Sequence, residues 1–182
     1  MSVEERRAHI VDAVTPLLTE HGADLTTREL AHAAGVAEGT LFRAFRDKEE
    51  LIAAVVERCM DPAPIVASLR AIPVEQSLED TLRQIVAVLR ERFTGVLGVM
   101  NALGIKEPPM HDHSAGAASR GTVIEELLAP HRECLSVEPA KAVILIRLLC
   151  FSASVPSIAG RSALSDEELV HFILCGISTE GP

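Results

Sequence analysis

The first 60 residues carry helix starts and stops so closely spaced that only short helices fit between them. Thr26 stands three residues ahead of Glu29, and Asp47 three ahead of Glu50. Each pair reads as a capping box, in which a short polar side chain and a carboxylate satisfy free N–H groups of a helix's first turn. Gly22 and Gly35 supply stops, because glycine adopts the left-handed backbone that ends helices. Ile10, Ala13, Val14, Leu17 and Leu18 line one face of a first helix ending at Gly22, with Pro16 bending it. A second helix opens at Thr26 and stops at Gly35, a third runs from Ala37 to about Ala44, and a fourth covers residues 48–60. Asp61-Pro62-Ala63-Pro64 breaks the pattern. The domain boundary is placed there, giving residues 1–60 and 61–182.

The remainder is expected to be helical as well. Of 182 residues, 48% are hydrophobic, but there are five Phe and no Tyr or Trp, so strand formers are scarce. Leu78, Leu82, Ile85, Val86, Leu89 and Phe93 stripe a long helix, and Val96, Val99, Met100 and Leu103 a shorter one after it. Residues 106–121, with two prolines and His111-Asp112-His113, read as a loop. Further helices are expected from about Thr122 to Ala129, from Pro139 to Ala153, and from a third capping box, Ser165 with Glu168, to about Ile177. The longest charge-free stretches, residues 93–105 and 148–160, fall short of the roughly 20 residues that span a bilayer. The N-terminus lacks an apolar signal region, so a cytoplasmic protein without membrane contact is expected. The four cysteines, lacking C-x-x-C spacing, read as buried thiols. Two histidines at i, i+2 do not make a preformed metal site. No metal and no cofactor are expected.

The two helices flanking Gly35-Val36 make a helix-turn-helix, with Leu30, Ala31, Val36 and Leu41 as its apolar seam. Thr40 and Arg43 face outward from the second, which is slim enough to enter a major groove about 12 Å wide. Residues 26–51, TTRELAHAAGVAEGTLFRAFRDKEEL, resemble the DNA-binding domain of the TetR family of transcriptional regulators. The Gly-Thr-Leu-Phe-x-x-Phe block followed by Asp-Lys-Glu-Glu-Leu carries that resemblance, which covers roughly the first third of the chain. It implies an all-α fold: an N-terminal three-helix helix-turn-helix domain joined to a C-terminal helical bundle for ligand binding and dimerisation. It also implies that Thr40 and Lys48 hold phosphates, that Arg28 reaches phosphate or a base edge, and that the backbone at Gly39 approaches DNA closely. Arg43 is the candidate for base readout. Three positions depart from the family pattern: Ala37 replaces a capping Ser, Glu38 replaces Lys, and Phe42 replaces a phosphate-bonding Tyr. Arg6 and Arg7 fit either an arm touching DNA or a solvated face.

Charge sharpens the expectation. Net charge is −9, and residues 1–60 hold seven Lys/Arg against eleven Asp/Glu. So few cations imply selective, salt-dependent binding with weak non-specific affinity.

In the C-terminal region, Phe93, Leu97, Met100 and Phe151 serve as core or as walls of a pocket, with Asn101, His111, His113 and Arg120 as polar options. Such walls suit a modest apolar ligand, whose identity the sequence leaves unknown. Two late helices are apolar almost all round, so one face of each needs a partner. The resemblance implies a homodimer there, with Ile144, Leu148, Phe151, Val170, Ile173 and Ile177 at the interface. Two reading helices about 34 Å apart then ask for a palindromic operator on double-stranded DNA. The expected function is a ligand-responsive transcriptional repressor. No triad or phosphate loop can be argued, so no enzyme is expected. The alternative is a dimeric interaction scaffold of the same fold whose DNA binding is weakened or lost, favoured by Glu38, Phe42 and the acidic balance.

Overall fold

The computed structural model describes residues 2–105, 114–155 and 164–179. These residues form nine α-helices and two short 3-10 turns, with one isolated antiparallel β-bridge. They divide into two compact units: Met1–Asp61 with Gly95–Pro109, and Pro62–Thr94 with Met110–Pro182.

In the first unit, α1 (Val3–His21) is opened by Ser2, whose hydroxyl accepts from the Glu5 N–H while Glu5 accepts from the Ser2 N–H. The helix runs through Pro16 and buries Ile10, Val11, Val14 and Leu18. Gly22 caps it at φ +74°, and a Cβ there would lie 2.8 Å from the Ala102 carbonyl oxygen. α2 (Thr27–Ala33) has the full Thr26–Glu29 capping box. Gly35, at φ +65°, makes the turn, and the Val36 N–H donates to the Ala31 carbonyl at 3.0 Å. α3 (Glu38–Ala44) and α4 (Lys48–Met60) follow. Leu30, Ala31, Leu41, Phe45, Leu51 and Val55 join the α1 face in one core, which Val99 of α6 also enters.

In the second unit, α5 (Ala63–Arg70) begins where the sequence suggested only a break. Pro62 and Pro64 sit at the first turn, where their missing N–H groups have no intrahelical partner to lose. α6 (Leu78–Ala102) is one helix of 25 residues, not the long and short pair expected. Gly95 and Gly98 fall within it, because a glycine lowers helix stability by only about 1 kcal/mol. α7 (Ser114–Leu128) begins inside the segment read as a loop, so residues 114–121 are helical. α8 (Pro139–Ser154) and α9 (Asp166–Ile177) complete the unit. The Ser136 N–H donates to the Ile177 carbonyl at 2.7 Å, tying the end of α9 to the turn before α8. Leu82, Ile85, Leu89, Ile124, Leu128 and Ile146 are central to this core.

Two expectations need correction here. Val170, Ile173 and Ile177, assigned to a dimer interface, are 3%, 1% and 2% exposed and pack in this unit's own core. Both faces of α9 are apolar, so periodicity could not say which turned inward. The outward residue is Phe172, 63% exposed, in keeping with Ile144 and Leu148 on α8 at 56% and 58%. Of the cysteines, only Cys150 is buried. Cys134 and Cys175 are exposed and Cys59 is intermediate. Burial pushes the Cys150 thiol up to about 12. Among the described residues no helix is long and apolar enough to cross a membrane.

Candidate nucleic-acid interface

The α2–turn–α3 segment presents few charges that are not already engaged. Ala37 gives α3 no side-chain cap. The Thr27 hydroxyl donates to the Glu38 carboxylate at 2.6 Å, bridging the first turns of α2 and α3. A carboxylate in the first turn of a helix also meets the positive end of its dipole. Glu38 thus serves the fold at the position where its charge would otherwise only repel phosphate.

Lys48 is half-buried, and its ammonium donates to the Ala23 carbonyl. Arg46 is paired with Glu50 at 3.2 Å. Glu50 is also the centre of a clamp that sequence reasoning missed. Its side chain accepts from the Arg46 N–H at 2.8 Å and from Arg7 at 3.0 Å. Arg7 reaches further, donating to the Ala44 carbonyl at the end of α3 and lying 4.2 Å from the centre of the Phe45 ring. These contacts, the backbone N–H of Arg46 first and Arg7 next, hold the Glu50 carboxyl down at about 2. No local signal marks Arg7, whose partners lie 37 and 43 residues away in the chain. Asp47 caps α4 by accepting from the Glu50 N–H, but Glu50 turns back to Arg46, so this capping box is only half formed.

What is left exposed is a short set. Arg28 and Arg43 are exposed and have no partner among the described residues. Arg28 lines an open groove along α1 and α2 with His21 and His32. On α3, Phe42 is 46% exposed. Gly39 has open space wherever a Cβ would stand, which leaves its backbone approachable. Thr40 is half-buried.

Comparison with known proteins bears on this segment. The family model described as bacterial regulatory proteins, tetR family, matches residues 10–55. Residues 10–55 are a TetR-family helix-turn-helix domain. That segment has the DNA-binding helix-turn-helix of transcriptional regulators, and α3 occupies the second-helix position of the motif. Over 177 residues the chain is 29% identical to the nucleoid occlusion factor SlmA of Shewanella frigidimarina, covering 92% of this chain and 89% of the relative. An HTH-type transcriptional regulator of Mycobacterium tuberculosis H37Rv is 31% identical over 87 residues, 48% of this chain and 37% of that one. The fold matches the crystal structure of a TetR-family transcriptional regulator from Streptomyces coelicolor with a TM-score of 0.64 at 20% identity, covering 97% of this chain and 82% of that one.

The residues expected to bind a ligand do not form one set. Phe93 and Phe151 meet edge to face with centroids 5.4 Å apart in the second unit. Leu97, Met100 and Asn101 lie in the segment that groups with the helix-turn-helix unit. His111 and His113 lie outside the described residues.

Proposed function

We propose that this chain is a TetR-family repressor that binds a palindromic operator as a homodimer and is released by a small ligand with an apolar body. Arg43 on α3 reads a base edge, and Arg28 at the start of α2 holds phosphate. The observation that carries the reading is that Arg28 and Arg43 have no partner among the described residues, while Lys48, Arg46 and Arg7 are all engaged within the unit. Ile144 and Leu148 on α8, with Phe172 on α9, supply an exposed apolar face for a second copy. Its ligand acts in the cytoplasm on the second unit. α6 has residues in both units, so a ligand that binds two arrangements of that helix unequally shifts operator affinity.

Selection of bound sequences from random duplex DNA by the purified protein tests this. Enrichment of a palindrome with half-sites about one helical turn apart, or a multiple of it, is the expected result. Absence of enrichment at low salt contradicts it and favours a dimeric scaffold of the same fold. A second reading is supported by the similarity to SlmA over 92% of this chain: a DNA-bound factor of nucleoid occlusion. Many copies of the selected site spread over the chromosome favour that reading, and one or a few sites at promoters favour the repressor.

A further inference from the structure

On the outward face of α9, His171 and Cys175 stand one turn apart, and His171 Nε2 lies 3.7 Å from Cys175 Sγ. Both residues are exposed, and among the described residues neither has another side-chain partner. The core side of the same helix is made by Val170, Ile173 and Ile177, which are buried. An exposed contact between a neutral thiol and an imidazole adds little to stability, so packing of the fold does not explain the pair.

The separation is close to that of two ligands on one zinc ion. Zinc binds a thiolate at about 2.3 Å and an imidazole nitrogen at about 2.0 Å, and tetrahedral angles then hold sulfur and nitrogen about 3.5 Å apart. A His and a Cys at i, i+4 lie one above the other on a helix, so both can reach the same point outside it. One helix supplies only two ligands, whereas a structural zinc takes four. Among the described residues no group of three His, Cys, Asp or Glu of one chain could hold a metal ion, so the other ligands must come from a second molecule. The same face carries the exposed Phe172, the residue that follows His171. Gly176, beside Cys175, is exposed and has open space where a Cβ would stand, so another helix can come close there. In a two-fold dimer, residues near the axis meet their own copies. A second α9 on this face then brings a second His171 and a second Cys175, completing two sulfurs and two nitrogens.

We infer that His171 and Cys175 are half of a zinc site that a second copy of this chain completes, with two histidines and two cysteines around one ion at the two-fold axis. On binding, each Cys175 thiol gives its proton to solvent and ligates as the thiolate, and each His171 ligates as the neutral imidazole. The inference rests on the reading of the α8–α9 face as the homodimer interface. It departs from the sequence expectation that the chain holds no metal.

The test uses the reduced full chain without a polyhistidine tag, titrated with zinc and with cobalt(II) as a coloured stand-in. One ion binds per two chains, and cobalt shows the intense visible bands of a tetrahedral site together with thiolate charge transfer in the near ultraviolet. His171→Gln and Cys175→Ser each remove two of the four ligands. Loss of a group that merely hydrogen-bonds a ligand already costs about 10- to 100-fold in affinity, so each variant weakens zinc binding by at least about 100-fold. With a chelator present both variants keep the wild-type Tm, because the side chains are exposed. Cys134→Ser, at another exposed thiol, binds zinc as wild type does. Light scattering at low protein concentration shows the dimer of wild type tightened at least about tenfold by zinc relative to chelator, and that of the two variants unmoved. A dimeric chain that binds no zinc overturns the site and leaves the dimer reading standing. One ion per chain, still lost in Cys175→Ser, overturns the shared site and counts against the α9 face as the interface. Zinc affinity unchanged in His171→Gln and Cys175→Ser overturns both ligands.

Discussion

The Thr27 hydroxyl lies 2.6 Å from the Glu38 carboxylate, so the one acidic residue of α3 is used to fasten it to α2. The bond ties the first turn of α3 to α2, while Ala37 leaves that turn without a side-chain cap. Glu38→Ala should lower stability by about 1 kcal/mol, the usual worth of an exposed hydrogen bond with a charged partner. Glu38→Gln keeps an acceptor for Thr27 and removes the charge. It should unfold at nearly the wild-type denaturant midpoint and bind operator about 2- to 5-fold more tightly. Equilibrium unfolding and fluorescence anisotropy on both variants separate the fold role from the charge.

Two glycines of the first unit should behave oppositely. At Gly22 the backbone is left-handed and a Cβ would sit 2.8 Å from the Ala102 carbonyl oxygen, so Gly22→Ala should destabilise by about 1–3 kcal/mol. Gly39 lies in α3 with open space around its Cβ position. Gly39→Ala should leave stability unchanged or raise it by up to about 1 kcal/mol, and should weaken operator binding by blocking close approach of the backbone. Thermal unfolding paired with operator titration checks both.

Acid should loosen the first unit through Glu50. Its folded pKa, about 2, lies below the ordinary carboxylate value, so its contribution is complete above about pH 4.5. As pH falls from there toward 2 the folded protein takes up that proton late, and the stabilisation is lost. The Tm difference between wild type and Glu50→Gln should therefore favour wild type at pH 7 and shrink steadily between pH 4.5 and 2. A difference independent of pH over that window would show that the Arg46 and Arg7 contacts do not act on the charge.

On α8, Leu148 is 58% exposed in the apolar stripe with Ile144. Leu148→Glu should leave the fold intact and convert a dimer to a monomer in light scattering. Operator affinity at fixed protein concentration should fall by at least about tenfold, because each half-site is then bound alone. A variant that stays dimeric would place the interface elsewhere.

Local features were legible in the sequence. The Thr26–Glu29 and Ser165–Glu168 capping boxes, the left-handed turns at Gly22 and Gly35, and the boundaries of α3 and α4 are each written within a few residues. What escaped was either long-range or ambiguous in period. Arg7 could not be read as a clamp, because its partners, Ala44, Phe45 and Glu50, are remote in the chain. At Lys48, which matches a phosphate position, the sequence did not show the bond that its ammonium donates to the Ala23 carbonyl, 25 residues away. α7 was hidden by Ser, Gly and Ala at its start, and the inward face of α9 by apolar residues on both sides.

The central claim is that Arg43 reads operator DNA, and one titration tests it most directly. The selected duplex is titrated with wild type and Arg43→Ala over a range of salt concentrations. Arg43→Ala should lose about 10- to 100-fold in specific affinity and little against random DNA. With Arg28 as the arginine that holds phosphate, two per dimer, log K for wild type should fall against log salt with a slope of about −2. Equal affinity of Arg43→Ala and wild type for the selected site would contradict the account.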